Sequence, residues 1–397
     1  MHRVLLPWEY YVNVTRGPVK AQMGDLYPRW VGTRELLLYG KNPYSDEVSH
    51  EIQMAFYGHA IEQGYDKPAS EIVDEQRFAY PVYVVFLLAP TIHADFARLQ
   101  AWAPGVLAAF VAISLGLWMR VLRWRPPTVV AMAVVLFLLG SPQIAQGLRL
   151  RQFGLFAAFL MALATWAVMR ERYFIAGILL ALSTIKPQMV ALCLVWFLVW
   201  TLGDWKRRWP LAAGFGGAMV ALVGAGESLV HGWPRYFLEG LSAYRKYFPT
   251  TSPVRLILGD WMGGGLSVLA VVALLAYSWG KRKTAADSAE FAHVLALFFV
   301  TATLVLPLLT PYNQVLLLMP VLMLIREWSE VPRWLRGAFV LLVAWPIVVS
   351  LAMLVHPPQL DSMHRTPLLP SVLLLLFPFL LLWFLFARQQ QVASAGT

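Results

Sequence analysis

Asp25 is the residue whose type and position most directly indicate chemistry. It lies in the segment Gly24-Asp25-Leu26-Tyr27-Pro28-Arg29-Trp30, and a long, almost continuously apolar stretch follows later in the chain. A carboxylate can accept a proton from a hydroxyl group, and nearby arginines such as Arg29 and Arg34 stabilise negative charge. This arrangement at a membrane surface indicates chemistry on a lipid-borne substrate.

Three cations lie in short loops where a membrane protein seldom places them. Arg149, Arg151 and Lys186 lie between apolar runs on the side opposite to the other basic loops. A cation at membrane depth is costly and usually marks a site or a pairing, and arginine binds phosphate through two parallel hydrogen bonds. We therefore predict a phosphate site at these cations, with Gln146 and Gln188 as additional neutral donors. The alternative is that the arginines extend to lipid headgroups.

The N-terminal residues also have structural interpretations. Asp25 could cap a helix that begins at Leu26, with Pro28 in its first turn. Gly40-Lys41-Asn42-Pro43-Tyr44 could end that helix, with glycine as the C-terminal cap, or could contact a sugar. The acidic residues that follow are interpreted as a solvated face, with cation binding as the alternative. No histidine spacing indicates a metal site. These acidic residues are Asp46, Glu47, Glu51, Glu62, Asp66, Glu71, Asp74 and Glu75.

Composition places these residues in an all-α polytopic membrane protein. Of 397 residues 59% are hydrophobic and only 14% are charged, whereas about a quarter of the residues in a soluble domain are charged. The net charge of +10 fits cationic cytoplasmic loops, so we do not expect nucleic acid as a partner. The partner is the lipid bilayer. Cys193 is the only cysteine, which excludes an intramolecular disulfide.

Apolar runs bounded by charged or turn residues predict about eleven transmembrane helices. Proline removes a backbone donor, so Lys186-Pro187-Gln188 should divide residues 173–202 into two half-length helices. Residues 79–92 contain Pro81 and Pro90 and are too short to span, which favours a juxtamembrane segment. The predicted spans are 101–119, 128–145, 153–169, 173–185, 188–202, 210–226, 261–280, 291–310, 312–325, 338–355 and 368–387.

Short basic loops set the expected orientation. They alternate along the chain, and the positive-inside rule places them in the cytoplasm of a multi-pass plasma-membrane protein. Residues 1–100 and 227–260 then lie outside, residues 101–388 form the transmembrane domain, and the tail 389–397 is cytoplasmic. The basic groups are Arg120/Arg123/Arg125, Arg170/Arg172, Lys206/Arg207/Arg208, Lys281/Arg282/Lys283 and Arg326/Arg333/Arg336.

Taken in order, several short motifs resemble one family. They are Asp25, Trp30-Val31-Gly32-Thr33-Arg34, Gly40-Lys41-Asn42-Pro43-Tyr44, Phe78-Ala79-Tyr80-Pro81, Gln143-Ile144-Ala145-Gln146-Gly147, Ala176-Gly177, Ile185-Lys186-Pro187-Gln188 and Pro311-Tyr312-Asn313-Gln314. This order is similar to that of the GT-C type membrane glycosyltransferases that use polyprenyl-phosphate sugars, and most closely to glycosyltransferase family 87, whose best-known members are alpha-mannosyltransferases. The resemblance covers roughly residues 20–330.

The resemblance implies a bundle that transfers a hexose, most simply mannose, from a polyprenyl phosphate to an extracytoplasmic glycan or glycolipid acceptor. Asp25 would be the general base of an inverting single displacement, with no cofactor and no metal. Arg29, Arg34, Asn42, Tyr44, Tyr80 and Asn313 would lie near the substrate. The family has a membrane span before its catalytic aspartate, whereas residues 1–24 contain no apolar helix, so we expect that this first helix is missing from the sequence.

Two other classes share some of these features. A transporter or flippase of a lipid-linked or anionic substrate would also contain broken helices and intramembrane cations. Transporters, however, usually show related halves with matched interruptions, which this sequence lacks. A structural membrane scaffold would have no need for Asp25, Arg149, Arg151 and Lys186 to converge.

Overall fold

The computed structural model describes residues 23–61, 75–247, 251–308, 310–355 and 376–388. Within these ranges the chain forms helices, turns and loops and no β-strand, which confirms the all-α class. The N-terminal helices are α1 (Leu26–Tyr39), α2 (Asp46–Tyr57) and α3 (Val84–Leu88). The helices of the bundle are α4 (Phe96–Val121), α5 (Thr128–Leu139), α6 (Pro142–Leu150), α7 (Phe153–Met169), α8 (Tyr173–Ser183), α9 (Pro187–Leu202), α10 (Trp205–Leu229), α11 (Trp233–Tyr247), α12 (Pro253–Lys281), α13 (Ala289–Val305), α14 (Leu318–Arg326), α15 (Arg333–Val355) and α16 (Leu376–Arg388).

The centre of the bundle consists of α7 and α13, whose residues are buried along most of both helices. Helix α8 packs against α10 with unusually close backbones, because glycines face each other at the crossing. A Cβ atom added at Gly177 would lie 2.1 Å from the carbonyl oxygen of Leu211, and one added at Gly214 would lie 2.1 Å from that of Phe174. Small residues allow this close approach between membrane helices, where dispersion replaces the hydrophobic driving force.

Three described helices, α4, α10 and α12, are long and apolar enough to cross a membrane. A fourth crossing is possible if α5 and α6 together form one span. Helices α7, α8, α9, α13 and α16 and the stretch Pro311–Arg326 are apolar but only 10–17 residues long. The membrane class is thus supported, whereas eleven crossings stay a prediction. The expected span 128–145 is interrupted: α5 ends at Leu139, α6 begins at Pro142, and the two are bent by 60°. Proline at the first position of α6 accounts for the restart, because it cannot continue the preceding hydrogen-bond ladder.

The predicted break in residues 173–202 is confirmed. Helix α8 ends at Ser183 and α9 begins at Pro187, with Lys186 directly before it. Residues 79–92 form only the five-residue helix α3 and a 3₁₀ turn, Ala89–Thr91, which agrees with a juxtamembrane segment. Residues 227–260, predicted to lie outside the membrane, contain the end of α10, the whole of α11 and the start of α12.

Several of the sequence predictions concern parts of the chain outside the described residues. These are the N-terminal residues 1–22, the beginning of the last predicted span, and the tail 389–397, together with Glu62, Asp66, Glu71 and Asp74.

The basic loops predicted to be cytoplasmic lie together at one end of the bundle. Arg208 donates hydrogen bonds to the carbonyl oxygens of Arg282 (2.8 Å) and Thr284 (3.0 Å). Ion pairs join Arg123 to Asp287, Arg207 to Glu171 and Arg388 to Glu327. The 17 residues of α7 lead away from this end to Gln152, a distance of about 25 Å at 1.5 Å per residue. Residues near Gln152 therefore lie at the opposite end of the bundle.

Candidate active site

Asp25 is fixed by its backbone at the point where the N-terminal segment meets the bundle. Its N–H donates to the carbonyl oxygen of Leu150 (3.0 Å), the last residue of α6. The preceding Gly24 has φ +60°, and a Cβ added there would lie 3.0 Å from the same oxygen. Glycine is suited to this left-handed conformation and close approach. The sequence Gly24-Asp25 therefore allows the segment to dock closely on the end of α6.

The structure confirms that a helix begins directly after Asp25, but the Asp25 side chain does not cap it. Helix α1 begins at Leu26 with Pro28 in its first turn, as predicted. However, Asp25 has helical backbone angles, φ −70° and ψ −11°, and its side chain makes no capping hydrogen bond. The carboxylate accepts a hydrogen bond from Nε2 of Gln152 instead. A contact to a residue distant in sequence thus takes the place of a local cap.

Gln152 links this carboxylate to a buried lysine. The Lys186 Nζ atom donates to Oε1 of Gln152 (3.0 Å) and to Oδ1 of Asn313 (3.0 Å). It also lies 4.5 Å from the centre of the Tyr312 ring. Lys186, Gln152 and Asn313 are only 3–5% exposed, so the amine is held by two amide oxygens and an aromatic face.

Helix breaks explain why polar residues converge here. Gln152 directly precedes α7, Lys186 directly precedes α9, and Asn313 lies in the 3₁₀ turn Pro311–Leu317. Irregular backbone at membrane depth is tolerated where protein or a cavity surrounds it. The lysine passes over Gly154, where an added Cβ would lie 3.1 Å from Nζ. A larger residue at position 154 would therefore displace the amine.

Arg29 contacts both Asp25 and Tyr80. The Arg29 guanidinium donates to the backbone carbonyl oxygen of Asp25 (2.7 Å) and lies 4.7 Å from the centre of the Tyr80 ring. Burial raises the pKa of Asp25 above its ordinary value, and the positive charges of Arg29 and Lys186 partly oppose that rise. A raised pKa makes a carboxylate a stronger proton acceptor than an exposed aspartate, as a general base requires.

Comparison with protein families decides the class. The model of glycosyltransferase family 87 matches residues 78–307, more than half of the chain. The chain belongs to glycosyltransferase family 87. It is therefore a membrane glycosyltransferase rather than a transporter or a scaffold. Neither the curated proteins nor the solved structures contain a match.

The match contains three of the residues around the aspartate, Tyr80, Gln152 and Lys186, whereas Asp25, Arg29 and Asn313 lie outside it. Asp25 and Asn313 are tied to the matched region by the hydrogen bonds through Gln152 and Lys186. Residues from four of the sequence motifs, Asp25, Tyr80, Lys186 and Asn313, therefore meet at one place in this family 87 glycosyltransferase, although their catalytic roles stay predictions.

The two arginines predicted to bind phosphate lie at the edge of this site. Arg149 is in the last turn of α6, and Arg151 follows that helix with φ +54°. The Arg151 guanidinium donates to the carbonyl oxygens of Arg149 (2.7 Å) and Gln100 (3.3 Å). Arg151 therefore joins the end of α6 to α4 in the transferase. Phosphate binding by either arginine stays a prediction, as does their extension to headgroups.

Two predicted neutral donors form no hydrogen bond with the proposed base or with the buried lysine among the described residues. Gln146 and Gln188 are half-buried, and neither forms a hydrogen bond with Asp25 or Lys186 among the described residues. Oε1 of Gln146 is buried without a hydrogen-bond partner in the described part of the chain. A donor role for these glutamines in the transferase would therefore need a bound substrate.

Three residues of the N-terminal segment have structural roles one layer further out. Arg34 lies over the Trp30 ring at 5.4 Å. Asn42 accepts a hydrogen bond from the N–H of Tyr44 (3.0 Å) and so shapes the turn after Gly40, which caps α1 as predicted with φ +68°. Tyr44 donates its hydroxyl to the carbonyl oxygen of Tyr80 (2.6 Å). Tyr44 therefore reaches the site through Tyr80, whereas Arg34 and Asn42 form no hydrogen bond with Asp25 or Lys186 in the described part of the chain.

Sequence reasoning missed two residues of the transferase site, Gln152 and Tyr312. Gln152 follows directly after Arg151, and Tyr312 directly precedes Asn313 in Pro311-Tyr312-Asn313-Gln314. Both are therefore sequence neighbours of predicted site residues. The sequence signal for both residues is their position at the start of a helix. A polar side chain there can point into the protein interior without breaking the hydrogen bonds of the helix, because irregular backbone is tolerated where protein surrounds it.

Proposed function

We propose that this protein transfers a hexose, most simply mannose, from a polyprenyl-phosphate donor to an extracytoplasmic glycan or glycolipid. The transfer is a single displacement that inverts the anomeric centre, with Asp25 as the general base. The observation that carries the proposal is the hydrogen-bonded series from Asp25 through Gln152 to Lys186. It brings a proton acceptor and a cation together, and these are the two groups that the reaction needs.

The reaction is a simple exchange at one carbon atom. The acceptor hydroxyl oxygen forms a bond to the anomeric carbon, and the bond from that carbon to the phosphate oxygen breaks. The hydroxyl proton passes to Asp25, and the electron pair leaves with the lipid phosphate. Because phosphate is already a good leaving group, a base and stabilisation of the developing negative charge supply most of what is required. No cofactor is part of this proposal.

Lys186 is suited to stabilise the departing phosphate. Its direct hydrogen bonds go to two neutral amide oxygens, and within the described residues no carboxylate lies within ion-pair distance of its amine. A buried cation without a directly bound counter-ion is costly. A lipid phosphate would supply that counter-ion, whereas Asp25 must keep its own lone pairs for the acceptor proton.

The position in the bundle supports an extracytoplasmic site. Gln152 and Lys186 lie one helix length away from the joined basic loops, which contain Arg123, Arg207 and Arg208. Because short basic loops favour the cytoplasm, the opposite end faces outward. Lipid-phosphate sugars of this kind are used on that face in the family that the sequence resembles.

The direct test is a transfer assay with purified protein. It uses lipid-phosphate-linked mannose or other hexoses and a mixture of envelope acceptors. We expect a new glycosidic product with inverted anomeric configuration, formed by the wild type and absent with Asp25→Asn. A product of retained configuration would contradict the single displacement.

A further inference from the structure

A polar cavity lies beside the N-terminal segment, outside the cluster around Asp25. Its volume is about 110 Å³, well above the ~10–15 Å³ that one water molecule requires. One wall comes from residues next to the turn after α1 and before α3, and the other comes from α11. The lining residues are Tyr44, Arg77, Phe78, Tyr236, Glu239 and Gly240.

Helix α11 presents one face to this cavity. Tyr236, Glu239 and Gly240 are three and four residues apart, so they lie on the same side of the helix. No atom lies within 4 Å of a Cβ added at Gly240. The absence of a side chain at this position therefore keeps the cavity open.

Aromatic rings form the flat part of the cavity. The rings of Tyr44 and Tyr236 are nearly parallel at 25°, with centres 6.2 Å apart. Phe78 meets Tyr44 edge-on at 5.2 Å. Aromatic faces with a few fixed polar groups are typical of small-molecule sites, and the negative π face attracts the weakly positive C–H groups of a sugar ring.

The two charged residues favour a neutral ligand with hydroxyl groups. Arg77 forms ion pairs with Asp46 (3.0 Å) and Glu75, and Glu239 forms one with Arg235 (2.8 Å). Each charge is thus already compensated, but each residue offers further hydrogen bonds. A hydroxyl group can both donate and accept, so it suits Arg77 and Glu239 at the same time. The three carboxylates of Asp46, Glu75 and Glu239 outnumber the two guanidinium groups paired with them, so an anion would be repelled.

A short series of contacts connects this cavity with Asp25. Tyr44 donates to the carbonyl oxygen of Tyr80 (2.6 Å), and Arg29 covers the Tyr80 ring and donates to the backbone of Asp25. We propose that the cavity binds a neutral sugar unit of the acceptor glycan, remote from the hydroxyl that reacts. This assignment rests on the proposed transfer to a glycan. Binding energy from such a remote unit can position the reacting hydroxyl.

Binding of a trisaccharide to the purified full-length chain tests the site directly. The probes are α-linked mannotriose and maltotriose, observed by ligand-detected NMR, with trigalacturonate as the anionic counterpart. We expect a neutral trisaccharide to bind and trigalacturonate to bind less. Tyr236→Ala and Gly240→Leu should each weaken binding at least about tenfold, or ~1.4 kcal/mol, whereas Leu238→Ala on the exposed side of α11 should not.

Two results would overturn the assignment. One is binding of neither neutral trisaccharide by the wild type, and the other is equal binding by Gly240→Leu and wild type. Gly240→Leu adds a side chain into open space, so it provides a test even if Tyr236→Ala fails to fold.

Kinetics separate this inference from the proposed function. With glycan acceptors, Gly240→Leu should raise the KM for the acceptor about tenfold while the KM for the lipid donor is unchanged. The reverse pattern would contradict an acceptor site.

Trisaccharide binding should be the same in Asp25→Asn and wild type. If Asp25→Asn still catalyses transfer while the trisaccharide binds, the proposed base is wrong and the sugar site stands. If Asp25→Asn is inactive and no trisaccharide binds, the sugar site alone fails.

Discussion

A single amide group separates Asp25 from Lys186. Gln152 donates to the Asp25 carboxylate through Nε2 and accepts from the Lys186 amine through Oε1 at 3.0 Å. One side chain therefore fixes the orientation of both the proposed base and the proposed phosphate-binding cation. The three residues come from the segment before α1 and from the starts of α7 and α9, so their relative position depends on the packing of the bundle.

The first prediction concerns the base. Asp25→Asn keeps the size of the side chain and can still accept from Gln152 but cannot take up a proton. Transfer should fall by ~10²–10⁴-fold, the range typical for loss of a general base, with donor binding and thermal stability largely retained. The control is Asp95→Asn, which changes an exposed aspartate before α4 that makes no capping hydrogen bond. Near-normal turnover of Asp25→Asn would exclude Asp25 as the base.

The second prediction concerns pH. Asp25 must be ionised to accept a proton, so kcat/KM should rise with pH through the pKa of this residue. The charge of Arg29 lowers that pKa; its removal favours the protonated carboxyl group and raises the pKa. Arg29→Gln should therefore move the acid limb of the pH profile to higher pH. Arg98→Gln, at an exposed position, should leave the limb in place, and an unshifted limb in Arg29→Gln would contradict the assignment to Asp25.

The third prediction concerns the donor phosphate. Neutralising Lys186, Arg149 or Arg151 should weaken binding of a non-transferable polyprenyl-phosphate sugar analogue more than it changes acceptor affinity. For Lys186→Gln the expected loss is about ten- to a hundredfold, from the ~1.5–3 kcal/mol of a hydrogen bond to a charged group. Lys206→Gln, at the opposite end of the bundle, is the matched control. Equal analogue affinity in wild type and all three single variants would favour contact with headgroups instead.

The fourth prediction concerns topology. With buried Cys193 replaced, single cysteines at positions 95 and 238 should react with an impermeant thiol reagent on intact cells. Cysteines at positions 207 and 287 should not, because they lie among the joined basic loops. All four native side chains are substantially exposed, so burial does not explain a difference. Labelling at 207 and 287 with protection at 95 would place the site on the cytoplasmic side.

Local features of this chain followed from its sequence. The apolar composition indicated a membrane protein, Pro187 marked the start of α9, and Gly40 marked the end of α1. Each of these outcomes depends on a few neighbouring residues, because proline and glycine act on their own backbone. The sequence order of short motifs likewise indicated the family that the comparison established.

The tertiary structure decided which of the polar residues meet. The residues that meet are far apart in sequence: Asp25, Gln152, Lys186 and Asn313. Their hydrogen bonds form only if several helices begin or end at the same depth in the bundle and their terminal side chains point toward one another. Hydropathy also could not predict the 60° bend between α5 and α6, because it measures how apolar a run is and not the direction of the helix axis. Apolar periodicity does not specify how one helix is shifted or rotated against another. That choice comes from side-chain packing, such as the glycine contacts between α8 and α10, which depend on both helices at once.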